Sequence, residues 1–400
     1  MATIGGPNTE KDGLVFGYDT GYGVNNTATN SRYYQGKPTS NLSNDMTKYF
    51  NNWSGMTGST SYYTTDRGNQ GIHLITTNGG GVQFYASSTI NNISASTEYT
   101  VSATIKYSGT TPHVNMFYVR QYHNGSQITE GGKFSTSYMI DLGGGWYRAY
   151  RTFTTTSTTS YINLQGYQYS NGVNLKIQDL QFEIGNQLSP YIGSLGTRSS
   201  TQSLIDLKKT TNIDVSNVSF DSIGQPDFDG TDDRIVASPS NIFLGASLTM
   251  EVWIYPTGYN HSRMYLMDPR GDGNTNGTSA YFLFDYHASP DTVHVVTGNS
   301  NIEVQSSNFS MPLNNWHNIV ATRNGNSWVI YHNGVSVGTG TTNTTSLTLN
   351  NDFRIGTFAS GTSGQYFFEG LMAVAKIYDT GLTAQEVKQN FNAYKNRFNI

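Results

Sequence analysis

The residues with the plainest capacity for chemistry are three aspartates in one turn, Asp229, Asp232 and Asp233, within Phe228-Asp229-Gly230-Thr231-Asp232-Asp233-Arg234. Carboxylate oxygens gathered on a flexible loop suit Ca2+, a hard cation that takes several oxygen ligands. Aspartates in a polar turn also accept hydrogen bonds from their own backbone with no metal involved. The spacing therefore leaves Ca2+ open and requires no cofactor. A second acidic stretch, Asp268 to Asn274, lacks the terminal glutamate of a helix-loop calcium pattern. Stacking chemistry falls to tyrosines. Tyr85, Tyr118, Tyr122, Tyr167 and Tyr169 could lay ring faces on sugar rings while Asn, Gln, Asp and Arg bond the hydroxyls; each could equally fill a core or a subunit interface. Catalytic spacings are absent. A sandwich-type glycosidase needs carboxylates along one strand, as E-x-D-x-x-E, so that acid and nucleophile face one cleft, and the chain has no such run. Asp179 and Glu183 are four apart, which on a regular strand puts them on one face, but they have no third partner. The eight histidines show no zinc-type spacing. No nucleophile elbow and no phosphate-cradling glycine loop before a helix occurs. The chain is read as a non-enzyme.

The elements that must position these residues are strands. Ser247 to Tyr255 alternates, with Leu248, Met250, Val252 and Ile254 on one face and Thr249, Glu251, Trp253 and Tyr255 on the other. Tyr99, Val101, Ala103 and Ile105 alternate in the same way. Strands are also expected at His113 to Tyr122, Trp146 to Phe153, Ser160 to Tyr167, Leu175 to Ile184, Asn315 to Arg323 and Ser327 to His332. Asn333-Gly334 is the strongest hairpin turn, since both residues tolerate positive φ. One helix is expected from Leu382 to Phe391, with Thr383 as N-cap, Glu386 completing a capping box, and Val387 and Phe391 on one face.

Only 12% of residues are charged and 13% are aromatic, with Gly, Asn, Ser and Thr abundant, a composition of strands and turns. A net charge of −4 without a Lys/Arg cluster argues against a nucleic-acid partner. The absence of cysteine excludes disulfides and thiolate metal sites. The residues MATIGGPNTEKDG have neither the basic nor the apolar region of a signal peptide. No apolar run is long enough for a membrane span.

Three short motifs in order, Tyr99-Thr100-Val101-Ser102-Ala103, Gly145-Trp146-Tyr147-Arg148 and Ile177-Gln178-Asp179-Leu180-Gln181-Phe182-Glu183-Ile184-Gly185 with Ser189-Pro190-Tyr191 after it, resemble a carbohydrate-binding-module jelly roll of a type found in phage tail and head-appendage proteins. From Phe228 onward the motifs F-D-G-x-D-D, M-E-V-W-I-Y-P (Met250 to Pro256), W-H-N-I-V-A-T (Trp316 to Thr322), Y-H-N-G (Tyr331 to Gly334), F-R-I-G (Phe353 to Gly356), F-x-E-G (Phe367 to Gly370) and Y-D-T-G-L-T-A-Q-E-V (Tyr378 to Val387) resemble the concanavalin-A-like, laminin-G-like lectin superfamily. The resemblance implies an all-β chain of two antiparallel jelly-roll-type β-sandwiches, the second concanavalin-A-like with a short C-terminal helix. It divides the chain into an arm and first lectin-like strand (1–36), a carbohydrate-binding-module-like jelly roll (37–195) and the lectin-like sandwich (196–400). In such proteins a strand like Leu14 to Asp19 belongs to the lectin-like sandwich, so the jelly roll is expected to be inserted after it. The function implied is a phage virion component, a head-decorating fibre, neck or tail appendage, made without a signal peptide. It would be a homo-oligomer bound to other virion proteins and attached multivalently to host-surface glycans. A purely structural capsid or tail cement protein is the alternative, followed by a polysaccharide-degrading enzyme.

Overall fold

The computed structural model describes residues 9–20, 37–43, 50–52, 57–65, 70–78, 82–109, 118–131, 139–168, 172–186, 188–189, 191–192, 196–208, 210–221, 224–238, 242–259, 263–268, 280–285, 292–297, 301–307, 309–341, 347–349, 353–358 and 366–400. They form two compact units, one made of Pro38–Ser199 and the other of the Leu14–Asp19 strand together with the residues from Ser200 onward. Both are antiparallel β-structures, as the alternating patterns require.

The first unit is a jelly-roll-type sandwich. Its six-stranded sheet runs Met139–Gly143, Trp146–Thr154, Glu98–Gly109, Val173–Ile184, Gln70–Asn78, Thr57–Thr64. Its five-stranded sheet runs Phe50–Asn52, Val82–Ile90, Tyr161–Gln168, Tyr118–His123, Ser126–Gly131. Tyr99, Val101, Ala103 and Ile105 meet Val119, Ile162 and Leu164 in one core, with Tyr99 stacked on Phe182 at 4.9 Å between centroids.

One feature corrects the expectation that Asp179 and Glu183 share a strand face. The pairing of Val173–Ile184 with Glu98–Gly109 slips by one residue between Gln178 and Gln181, where Asp179 adopts φ +54°. Such a bulge exchanges the two faces. Val173, Leu175 and Ile177 point to the core before it, and Leu180 and Phe182 after it. Glu183 is thereby turned away from the core, to take hydrogen bonds from Gln181 Nε2 (3.0 Å) and Ser189 Oγ (2.7 Å). Arg148 repairs the bulge: its Nη1 donates to the Asp179 carbonyl (2.7 Å) and Thr104 Oγ1, and its Nη2 to Ser102 Oγ.

The second unit is also a two-layered sandwich. Its eight-stranded sheet runs Ser219–Phe220, Pro226–Asp229, Glu369–Tyr378, Ser247–Pro256, His317–Asn324, Ser327–His332, Val335–Thr341. Its eighth strand, Leu14–Asp19, pairs antiparallel with residues 374–378, on the edge that Pro226–Asp229 occupies at 369–371. The seven-stranded sheet packs its Ile213, Ile235, Met264, Val293 and Ile355 against Leu248, Met250, Val252 and Ile254. At one border the Val335–Thr341 strand comes so close to Asn301–Gln305 that a Cβ on Gly338 would stand 2.6 Å from the Gln305 carbonyl, and one on Gly340 2.4 Å from that of Glu303. Only glycine permits that approach.

The opposite face of the eight-stranded sheet, which the sequence shows as Thr249, Glu251 and Trp253, is covered by helix α1 (Ala384–Tyr394) and the residues after it. The helix begins with the expected capping box between Thr383 and Glu386. Trp253 is fully buried, its ring stacked on Phe391 (5.8 Å) and Phe398 (4.6 Å). Glu251, also fully buried, accepts from Asn390 Nδ2 (2.9 Å), Asn318 Nδ2 (3.3 Å) and Trp253 Nε1 (3.3 Å). Asp19 accepts from the Tyr394 hydroxyl (2.7 Å) and pairs with Arg397 (2.6 Å). A buried carboxylate survives only with such partners.

Candidate functional site

On Tyr118–His123, Val119 faces the jelly-roll core and Gln121 is buried beside it, so Tyr118, Arg120 and Tyr122 take the outer face. On Tyr161–Gln168, Ile162 and Leu164 face inward, which leaves Tyr161 and Asn163 outside. The ladders bring these positions together. Tyr122 lies directly opposite Tyr161, Arg120 opposite Asn163, and Tyr118 opposite position 165. Position 165 is in turn opposite position 85, and position 167 opposite position 83. Tyr118 and Tyr122 therefore share one face of one sheet, while Tyr85 and Tyr167 stand on the two strands next to them, where only their backbone register is described. Tyr169 lies outside the described residues.

The face is not uniform. Tyr122 and Tyr161 are half-buried and stacked, 4.8 Å between centroids and 3° from parallel. Tyr118 is 2% exposed and has no ring face to offer a sugar; the Arg120 guanidinium sits 5.4 Å from its centroid. Arg120 and Asn163 are half-buried and Gln127, opposite Tyr122, is exposed. The arrangement is an apolar ring pair edged by amide and guanidinium donors, which can stack on a sugar ring and bond its hydroxyls. Sequence reasoning missed Tyr161, although its alternation with Asn163 in Y-I-N-L-Q-G-Y mirrors the opposite strand.

The aspartate turn is a separate place. One oxygen from each of Asp229, Asp232 and Asp233 lies within 4.8 Å of the others. The side chains also bond their own backbone. Asp229 Oδ1 accepts from the N–H groups of Thr231 (2.8 Å) and Asp232 (3.2 Å), and Asp233 Oδ2 from that of Asp229 (3.0 Å). Ca2+ takes about six to eight oxygens, so these three carboxylates fit it only in part. Desolvation pushes Asp233 up to about 6, assisted by the charges of Asp229, Asp232 and Asp227 and opposed by the bond from the Asp229 N–H. The second acidic stretch lies outside the described residues beyond Asp268.

Two histidines from different motifs also meet. His317 Nε2 donates to the Pro312 carbonyl (3.0 Å), and its Nδ1 shares a hydrogen bond with His332 Nε2 (3.0 Å). Desolvation and the His317 neighbour lower His332 to about 4. The His332 ring is thus a neutral hydrogen-bonding group in the sandwich.

Residues 229–388 match the family model described as the concanavalin A-like lectin/glucanases superfamily. No curated protein matches the chain. Among solved structures, the chain is similar to domain 4 of a GH43 extracellular arabinanase from Geobacillus stearothermophilus, in complex with arabinotriose. There the identity is 15% and the TM-score 0.35, covering 48% of this chain and 92% of that one. It is similar to the botulinum neurotoxin serotype D binding domain at 12% identity and TM-score 0.39, covering 49% of each chain. It is also similar to the heptameric SAP-like pentraxin from Limulus polyphemus at 16% identity and TM-score 0.34, covering 40% of this chain and 78% of that one. At these TM-scores the three likenesses identify no ligand. The family match, with the antiparallel sandwich it falls on, makes residues 229–388 a concanavalin A-like domain within an all-β chain.

Proposed function

We propose that the protein binds glycans without transforming them, through the outer face of the five-stranded sheet. The observation that carries this reading is the register that sets the Tyr122–Tyr161 stack beside Arg120 and Asn163. The concanavalin A-like domain is compatible with it, though that fold hosts many functions. A shallow site of this kind holds one sugar weakly and gains avidity from copies. That fits the further reading of a homo-oligomer on a virus particle, held by other virion proteins. The virion reading is supported by the resemblance of the jelly-roll motifs, and the view that this module is an insertion into the lectin-like sandwich by the pairing of Leu14–Asp19 with residues 374–378. Glycan-array binding of the multivalent protein tests the function. Tyr122→Ala with Tyr161→Ala is expected to reduce the signal at least tenfold while the fold is retained. An unchanged signal, or none at high valency from the parent, would remove the glycan assignment.

A further inference from the structure

The outer face of the six-stranded jelly-roll sheet carries a different pattern. The ladders align Trp146 with Lys106, Lys106 with Lys176, Lys176 with His73 and His73 with Ser61, one residue from each of five neighbouring strands. Two lysines therefore stand directly opposite each other, an arrangement that repels. Neither is paired with a carboxylate among the described residues. Lys106 Nζ donates to the Gly144 carbonyl (2.8 Å) and lies 5.6 Å from the Trp146 centroid. Lys176 Nζ lies 5.1 Å from the Tyr63 centroid. The ladder rows on either side hold Ser108, Asn174, Ile75 and Ser59, and Arg148, Thr104 and Gln178; none is acidic, nor is either member of the Gly71–Tyr63 pair on the next two strands. Asp179, at the bulge beyond Gln178, is buried beside Arg148. In a chain of net charge −4, this concentration of positive charge without counter-charge is a local exception.

From this row we infer a second ligand site, for an acidic polysaccharide bearing sulfate esters or uronic carboxylates, with Lys106 and Lys176 as the anion-binding pair. Five strands about 4.8 Å apart span roughly 19 Å, the reach of a short run of sugars laid across the sheet. Trp146 is half-buried beside Lys106, and Tyr63 is held by a hydrogen bond from its hydroxyl to Gln178 Oε1 (2.9 Å), so flanking apolar faces accompany the charges. Asn174, bonded by His73 Nε2 at 2.7 Å, adds polar edges one row away. Single-stranded nucleic acid is disfavoured, since it calls for a basic groove tracking phosphate after phosphate and this row offers two lysines. The site stands apart from the Tyr122–Tyr161 face and does not depend on it.

The test is binding of the full chain to immobilised dextran sulfate and to polygalacturonate, with uncharged dextran as control, at low and high salt. Binding to either acidic polymer is expected, weakened by salt and absent on dextran; which polymer binds distinguishes sulfate from carboxylate. Lys106→Gln with Lys176→Gln is expected to weaken it at least tenfold with an unchanged melting profile. Lys11→Gln with Lys208→Gln, an equal charge change at exposed positions, is expected to leave it within twofold. Failure of the parent to bind either polymer, equal losses in the two double variants, or capture of oligothymidine in preference to both polymers would overturn the assignment.

Discussion

His332 has a folded-state value of about 4 against its ordinary 6.5, through burial and the His317 neighbour. Between those values the unfolded chain binds more protons than the native one, so stability falls as pH drops from about 6.5 to about 4. NMR titration should find the His332 ring neutral down to about pH 4, and His332→Gln should flatten that part of the stability profile. Asp233 acts in the opposite sense. Raised from 3.8 to about 6 by desolvation and neighbouring aspartates, it makes the native state the tighter proton binder in that window. Its contribution is present at low pH and declines as pH rises through about 6. Asp233→Asn keeps an acceptor for the Asp229 N–H and removes the charge. Its melting temperature should exceed the parent's above about pH 6 and equal it below about pH 4. At this scale the sequence was a partial guide. Asp229, Asp232 and Asp233 are adjacent and their turn could be read directly. His317 and His332 lie on paired strands, and only the hairpin brings their rings together.

At the scale of elements, alternation told most of the story and irregularity the rest. Leu248, Met250, Val252 and Ile254 face the core as their period requires. Tyr118 and Tyr122 share a face for the same reason, but alternation does not say that Tyr118 is shielded there. The bulge at Asp179 was invisible, because one extra residue leaves no compositional trace and still exchanges every later side chain. Arg148 is the consequence that can be measured. It sits 6% exposed with three hydrogen bonds across the bulge. Arg148→Met should cost about 3 kcal/mol in urea unfolding of the jelly roll, since it strands buried acceptors. The Val335–Thr341 border makes a second case. A methyl at Gly338 would meet backbone at 2.6 Å, so Gly338→Ala should destabilise the lectin-like unit by about 1–3 kcal/mol.

Across the whole molecule, two cores with separate residue sets allow the units to melt apart. Helix α1 and the residues after it belong to one of them alone. Deleting residues 384–400 would uncover Trp253 and Glu251. Calorimetry should then show loss of the lectin-like transition and retention of the jelly-roll one. The antiparallel, all-β architecture was legible from strand alternation and motif order. The covering of Glu251 was not, since the strand pattern gives no sign that a helix from the chain's end will shield its polar row.

The pairing of Leu14–Asp19 with residues 374–378 also fixes an order in time. A ribosome adds about 5–20 residues per second, so the strand made first waits roughly 20–70 s for its partner to emerge. All jelly-roll residues are available well before then. Nascent chains arrested short of residue 369 should carry a protease-resistant jelly roll beside a digestible lectin-like remainder. During synthesis, Leu14–Asp19 is an unpaired strand edge that the cell must keep from the wrong neighbour.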